Sequence, residues 1–557
     1  MTAASPPLRK TSAPAAGYQR RLGTFSLLMV GLSSIIGSGW LFGSWKAAKV
    51  AGPAAIFAWV IGAGIMLLIA FSYMELGSMF PKSGGMVRYS QYSHGSLVGF
   101  VGGWANWVAI VSVIPVEAEA SAQYMSTWKW HWAQNLYDGK ELHPAGLAVA
   151  AVLVIVYFLI NYWTVRLYAM ANSFIMIIKF AVPALTVIGL IATGFHGGNF
   201  SDHGGFAPYG WSAVLTAIAT SGVVFAFNGF QSPINLAGEA KNPGRSVPIA
   251  LIGALLISAV VYVGLQIAFI GAVPGHLLGH GWSGIDFKSP FADLALAWNL
   301  NWLAVTLYAD AFVSPSGTGM TYTATTSRMI QGMQENGYFP RVLGRVNPKY
   351  GIPQPAMWFN LVISFGFLFM FRGWGSLAAV ISVATVISYV TGPVSAMVLR
   401  RTCPDLKRPV RAPALQVIAP AGFIFASLLL YWSKWPLSGE VILIIVLGLP
   451  IYVYYCCKER FRGFAPHLKA GVWLIVYLGW MALLSALGSK QFGGYDLIPY
   501  GVDMAVVAVT SLAFYAWGVR SGWAGPSRQV AAEARAKETA AKETTAETAA
   551  GDLAPVA

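Results

Sequence analysis

The chain has 557 residues, 56% of them hydrophobic and only 10% charged, and its mean hydropathy is +0.60. That is too little charge to cover a water-soluble protein of this size, whereas a bilayer requires about 20 mostly apolar residues per spanning helix. The formal charge of +15 is dispersed through short loops and does not collect on one face, which argues against a nucleic-acid partner.

The apolar runs predict an all-α integral membrane protein with about fourteen transmembrane helices. They fall at roughly 23–45, 54–77, 97–127, 145–161, 169–193, 211–236, 247–273, 302–326, 356–371, 375–399, 413–432, 438–456, 468–487 and 500–519. Of the 36 Lys and Arg, 27 lie on the side shared with the N-terminus, counting Lys469 at the very end of span 468–487, and 8 on the other, and only Lys179 falls deep inside a span. The positive-inside rule then predicts that both termini are cytoplasmic. Residues 1–22 read as a cytoplasmic arm, 23–400 as a core of helices 1–10, 401–520 as additional helices 11–14, and 521–557 as a disordered or partly helical cytoplasmic tail biased toward Ala, Lys, Glu and Thr. The first apolar run follows a polar arm and is long enough to span, so no cleavable signal peptide is expected. Cys403, Cys456 and Cys457 fall at or near the cytoplasmic side, where neither a disulfide nor a metal role is expected.

Two spans carry Gly, Pro and polar residues that lipid would otherwise exclude. The first contains Ser33-Ser34-Ile35-Ile36-Gly37-Ser38-Gly39-Trp40, and the sixth contains Phe227-Asn228-Gly229-Phe230-Gln231-Ser232-Pro233. An unwound turn at each place frees about four backbone groups on either side, and something polar must satisfy them. Such a break presents the amide end of one half-helix beside the carbonyls of the other, an arrangement able to hold an anion and a cation together, as in an amino acid. On spacing alone, Gly37-Ser38-Gly39 also fits close helix packing. Two breaks five spans apart instead match corresponding positions of two inverted five-helix repeats.

Further motifs carry a family resemblance. Gly52-Pro53-Ala54 and Met74-Glu75-Leu76-Gly77-Ser78-Met79-Phe80-Pro81-Lys82-Ser83-Gly84-Gly85 resemble helix 2 and its following loop in the amino acid-polyamine-organocation superfamily. Gly238-Glu239-Ala240-Lys241-Asn242-Pro243-Gly244-Arg245-Ser246-Val247-Pro248 is similar to the segment after helix 6. Thr326-Ser327-Arg328 and Asn336-Gly337-Tyr338-Phe339-Pro340 are similar to the segment after helix 8. Tyr92-Ser93-His94-Gly95, Asn161-Tyr162-Trp163, Gly271-Ala272-Val273-Pro274 and Asp310-Ala311-Phe312-Val313-Ser314-Pro315 look more narrowly like bacterial aspartate-proton symporters. The resemblance covers roughly residues 20–400 and implies a LeuT-type 5+5 inverted repeat in a bacterial inner (plasma) membrane, with substrate at the two breaks. The substrate residues it points to are Ile36, Gly37, Ser38, Gly39, Trp40, Phe225, Phe227, Asn228, Gly229 and Gln231, with Phe225 or Phe227 expected as an aromatic lid. The arginine-exchanging branch has an acid where this chain has Gln231, so a cationic substrate is not expected.

A charge at the bilayer centre costs at least about 2.5–3.5 kcal/mol on insertion scales, so each one requires a partner or a task. Lys179 in span 5 and Asp310 in span 8 both reach the middle third, where they could form a buried pair, and Asp310 joins Lys179 as a candidate proton-coupling residue. The resemblance implies that a helix-5 lysine stands where sodium-coupled relatives bind sodium, which makes Lys179 the expected coupling residue. Glu117 and Glu119 stand about 200° apart around a helix, so only one of them faces a given cavity. Glu117 is the one resembling a helix-3 glutamate of related transporters, and it is expected as a second proton site. Glu75 and Glu239, at cytoplasmic helix ends, are expected to cap or to form gating ion pairs.

The expected function is therefore secondary active, proton-coupled uptake of an acidic amino acid such as aspartate or glutamate, with no cofactor, metal or catalytic residue. The alternatives are a neutral or broad-range permease or exchanger, and a membrane amino-acid sensor of the same fold. A membrane enzyme or primary pump is disfavoured, because the eight His lie in loops or at span ends without HExxH spacing and no Walker-type loop is present.

Overall fold

The computed structural model describes residues 22–82, 84–163, 165–347, 350–458 and 464–525, with Arg528 and Ala532. The predicted arm before residue 22 and most of the predicted tail lie outside the described residues, as do Ser83 of the loop motif and the side chain of Trp163. Among the described residues the chain is helical, with three isolated bridges and no strand. Ten helical stretches among the described residues are long and apolar enough to cross a membrane. Shorter apolar helices cover Thr24–Ile35, Gly210–Thr220 and Gln354–Met370.

The helices form where apolar side chains run without interruption and stop where backbone chemistry forbids continuation. Pro243 sits in the first turn of Pro243–Ala272, where a missing N–H costs nothing. Helices Ala55–Met79 and Pro243–Ala272 pack along each other, and Thr24–Ile35 lies on the second of them. Val113–Met125 packs on Asn301–Glu335, and Trp374–Tyr389 on Ser96–Val111. The most apolar windows of Ser96–Met125 and Trp374–Thr402 are 94% and 100% buried, against 28% for Ile175–Gly194, so the former line the interior and the latter faces outward. Leu415–Trp432 packs against Ala55–Met79 and Val502–Ser521, which joins the C-terminal helices to the core.

Several spans depart from the expected boundaries. The third is two helices, Ser96–Val111 and Val113–Met125, and the eighth runs on to Glu335. The short helices Met86–His94 and Pro290–Ala297 lie outside every predicted span, because hydropathy does not register a buried segment this polar or this short.

Candidate functional site

Both expected interruptions exist. Helix Thr24–Ile35 stops and Gly39–Ala51 starts after Ile36-Gly37-Ser38. The Gly37 amide turns back to the Ile35 carbonyl at 3.0 Å, and the Ser38 amide donates to Glu117 Oε2 at 2.8 Å, so neither continues the helical ladder. Four consecutive carbonyls then accept from side chains on other helices. Lys179 Nζ donates to Ser33 O at 2.8 Å and the Tyr322 hydroxyl to Ser34 O at 3.2 Å. The Tyr262 hydroxyl donates to Ile35 O at 3.0 Å and Thr318 Oγ1 to Ile36 O at 3.4 Å. Buried backbone groups need such partners, so the break is built by residues distant from it in sequence.

The second interruption separates Val223–Phe227 from Ser232–Asn235. Gly229 adopts φ +109°, and a Cβ there would lie 2.6 Å from Ser34 O, so only glycine lets the two breaks touch. Its amide donates to Gln231 Oε1 at 3.0 Å, and Gln231 Nε2 donates to Asn228 Oδ1 at 2.9 Å. The Tyr389 hydroxyl lies 2.8 Å from Gln231 Oε1 and 3.3 Å from Asn228 Oδ1. Tyr262 also reaches Ala226 O at 3.0 Å and so ties the two breaks together. A further interruption at Ser221-Gly222, where Gly222 has φ +84°, was not expected from the sequence.

A small, nearly closed cavity lies between the breaks, lined by Ser34, Ile35, Gly37, Gly39, Val113, Glu117, Phe225, Asn228, Thr318 and Tyr322. Gly37, Gly39, Glu117, Phe225 and Asn228 were expected there. The remaining expected residues stand behind the lining. Ile36 and Gly229 contribute backbone, and Gln231 holds Asn228. Ser38 Oγ accepts from Trp374 Nε1 at 2.8 Å, and Trp40 packs on Phe291. Phe225 meets Trp374 edge-on at 5.7 Å, whereas Phe227 packs against Tyr262 at 5.3 Å and Trp59 at 6.0 Å, away from the cavity.

Lys179 is fully buried and adjoins the cavity through Thr318, whose Oγ1 accepts from Nζ at 2.7 Å. The ion pair that Lys179 and Asp310 could form is not among the salt bridges of the described residues. The ammonium is turned instead toward Ser33 and Thr318, and Asp310 Oδ1 accepts from Ser314 Oγ one turn along its own helix at 2.6 Å. Glu119 is buried outside the cavity lining, as the angle between it and Glu117 requires. Glu75 meets Arg400 at 2.5 Å and Arg408 at 3.4 Å and accepts from the Ala412 amide, an ion-paired clamp of the expected kind.

Sequence reasoning missed Thr318, Tyr322, Tyr262, Tyr389, Trp374 and Val113. The run Ser314-Pro315-Ser316-Gly317-Thr318-Gly319 was a usable signal for the first, since small polar residues inside a span mark a close approach or a polar cavity.

Two interrupted helices meeting across a buried polar cavity, inside a bundle of apolar spans, define a membrane permease of the discontinuous-helix type. The chain belongs to the amino acid permease family, whose model matches residues 22–457. It is 62% identical over 507 residues to the glutamate/serine transporter AimA of Bacillus subtilis, covering 90% of this chain and 94% of that one. It is 36% identical over 513 residues to the aspartate-proton symporter of the same organism, covering 91% and 97%. The branched-chain amino acid permease BcaP, also from Bacillus subtilis, is 27% identical over 462 residues, covering 79% and 94%. With such bacterial relatives and this many apolar helices, the chain is a multi-pass plasma-membrane protein.

Proposed function

We propose that the protein is a proton-coupled symporter that takes up an acidic amino acid, glutamate or aspartate, with serine as a further substrate. The observation that carries this reading is the position of Lys179, a fully buried ammonium that donates to a carbonyl of the first break and to Thr318 beside the cavity. A cation there takes the place of a coupling metal ion, and its proton gives two charge states for the cycle to alternate between. The substrate class is supported by the names of the two most similar relatives cited above, one a glutamate/serine transporter and the other an aspartate-proton symporter.

In this reading the chain has fourteen spans with both termini in the cytoplasm, and its first ten form a 5+5 inverted repeat around the two breaks. A radiolabelled amino acid panel tests the function in proteoliposomes with and without an inward proton gradient. Glutamate and aspartate uptake should be accelerated several-fold by the gradient. Uptake of neutral amino acids alone favours the broad-range permease, and counterflow with no net accumulation favours an exchanger.

A further inference from the structure

The polar side chains around the cavity are nearly all engaged. Ser34 Oγ donates to Val30 O at 2.9 Å, the Tyr322 hydroxyl to Ser34 O, and Thr318 Oγ1 to Ile36 O. Glu117 presents carboxylate oxygens, one of them already held by the Ser38 amide. Behind the lining, Lys179 faces Ser33 and Thr318, and Gln231 Nε2 faces Asn228. Asn228 is the exception. It is 3% exposed, it lines the cavity, and its Nδ2 has no hydrogen-bond partner.

The direction of that amide is fixed by the backbone. The Gly229 N–H can only donate, so the Gln231 atom it meets at 3.0 Å is the oxygen. The other Gln231 atom is then the nitrogen, and the Asn228 atom it meets at 2.9 Å is the oxygen. The Asn228 NH2 is therefore the group left free. Flipping Asn228 would set one NH2 against another, and flipping Gln231 would set its NH2 against the Gly229 N–H.

We infer that Asn228 is the side-chain specificity determinant: its amide, held at Oδ1 by Gln231 and Tyr389, donates from its free NH2 to a substrate side chain that carries a hydrogen-bond acceptor, and to a carboxylate best. Hydrogen bonds to an ionised group are about twice as strong as neutral ones, which ranks a carboxylate above a hydroxyl. A guanidinium or ammonium brings only donors to a donor and is rejected. Gln231 and Tyr389 are positioning residues. The inference rests on the acidic-substrate reading proposed above.

The test is competition of unlabelled glutamate and serine against labelled uptake in proteoliposomes. The variants are Asn228→Asp, Asn228→Ala and Gln231→Met, each checked for a monodisperse elution profile in detergent. The glutamate-to-serine affinity ratio should fall at least about tenfold in both Asn228 variants, a loss that matches a charged hydrogen bond. It should fall by a smaller factor in Gln231→Met, where the amide is present but no longer locked. A wild-type ratio in any Asn228 variant that elutes as a single species overturns the inference and leaves the acidic-substrate reading standing. Wild-type vesicles that accumulate serine but neither glutamate nor aspartate overturn both.

Discussion

The backbone amide of Ser38 donates to a Glu117 carboxyl oxygen at 2.8 Å, so the start of half-helix Gly39–Ala51 is capped by a carboxyl group that the protein itself supplies. A helix N-terminus favours negative charge, and the substrate carboxylate was expected at this end of the break. Glu117→Ala leaves the Ser38 N–H buried without an acceptor, a cost of about 1–3 kcal/mol. Glu117→Gln keeps an amide oxygen for the same bond and should recover most of the loss. Thermal unfolding in detergent separates the two, and equal destabilisation would contradict this account of the contact.

Gly39 is a second point at which the two interrupted helices pack closely. A Cβ there would lie 2.9 Å from both Cα and Cβ of Ala226, and backbone cannot move aside as a flexible side chain can. Gly39→Val is expected to abolish uptake while the protein still reaches the membrane. Uptake within about twofold of wild type, a change of less than about 0.5 kcal/mol in transition-state binding, would remove the first break from the site.

The two phenylalanines of the sixth span should separate kinetically. Phe225 lines the cavity and leans on Trp374, so Phe225→Ala should raise the apparent KM for uptake. Phe227 lies in the packing against Trp59 and Tyr262, so Phe227→Ala should cost about 3–5 kcal/mol of stability. Uptake kinetics and melting curves of both variants check the division.

Glu75 is buried and joined to Arg400, Arg408 and the Ala412 amide, tying Ala55–Met79 to helix Thr391–Thr402 and the segment after it. Removing one member of a buried pair leaves an uncompensated charge at a cost of about 3–5 kcal/mol. Glu75→Ala should lower the melting temperature markedly, and Arg408→Ala should do so less, because Arg400 still meets the carboxylate.

The breaks were legible because Gly37-Ser38-Gly39 and Asn228-Gly229-Phe230-Gln231-Ser232-Pro233 are chemically out of place in a lipid-spanning helix. Their supporting residues were not. Tyr262 stands 227 positions from Ile35, and a tyrosine in a span looks the same whether it fills space or donates to a freed carbonyl. The Lys179–Asp310 pair failed for a related reason. Depth along two helices places both residues in the middle third, but the direction of each side chain follows from neighbours that linear sequence does not reveal. Thr318 and Ser314 supplied those nearer partners. The angle between Glu117 and Glu119 was a local property of one helix and required that only one of them face the cavity; the resemblance chose Glu117, which lines it.

The central claim is that the Lys179 ammonium couples proton movement to transport, and the most direct measurement is uptake by Lys179→Ala in proteoliposomes under an imposed inward proton gradient. Counterflow exchange in the same vesicles shows whether the variant is folded and binds substrate. The account predicts that the gradient accelerates wild-type uptake several-fold, and that it leaves Lys179→Ala uptake unchanged while slow exchange continues. A variant that exchanges substrate and still responds to the gradient as wild type does would contradict the claim and move the coupling proton to Glu117, Asp310 or the substrate.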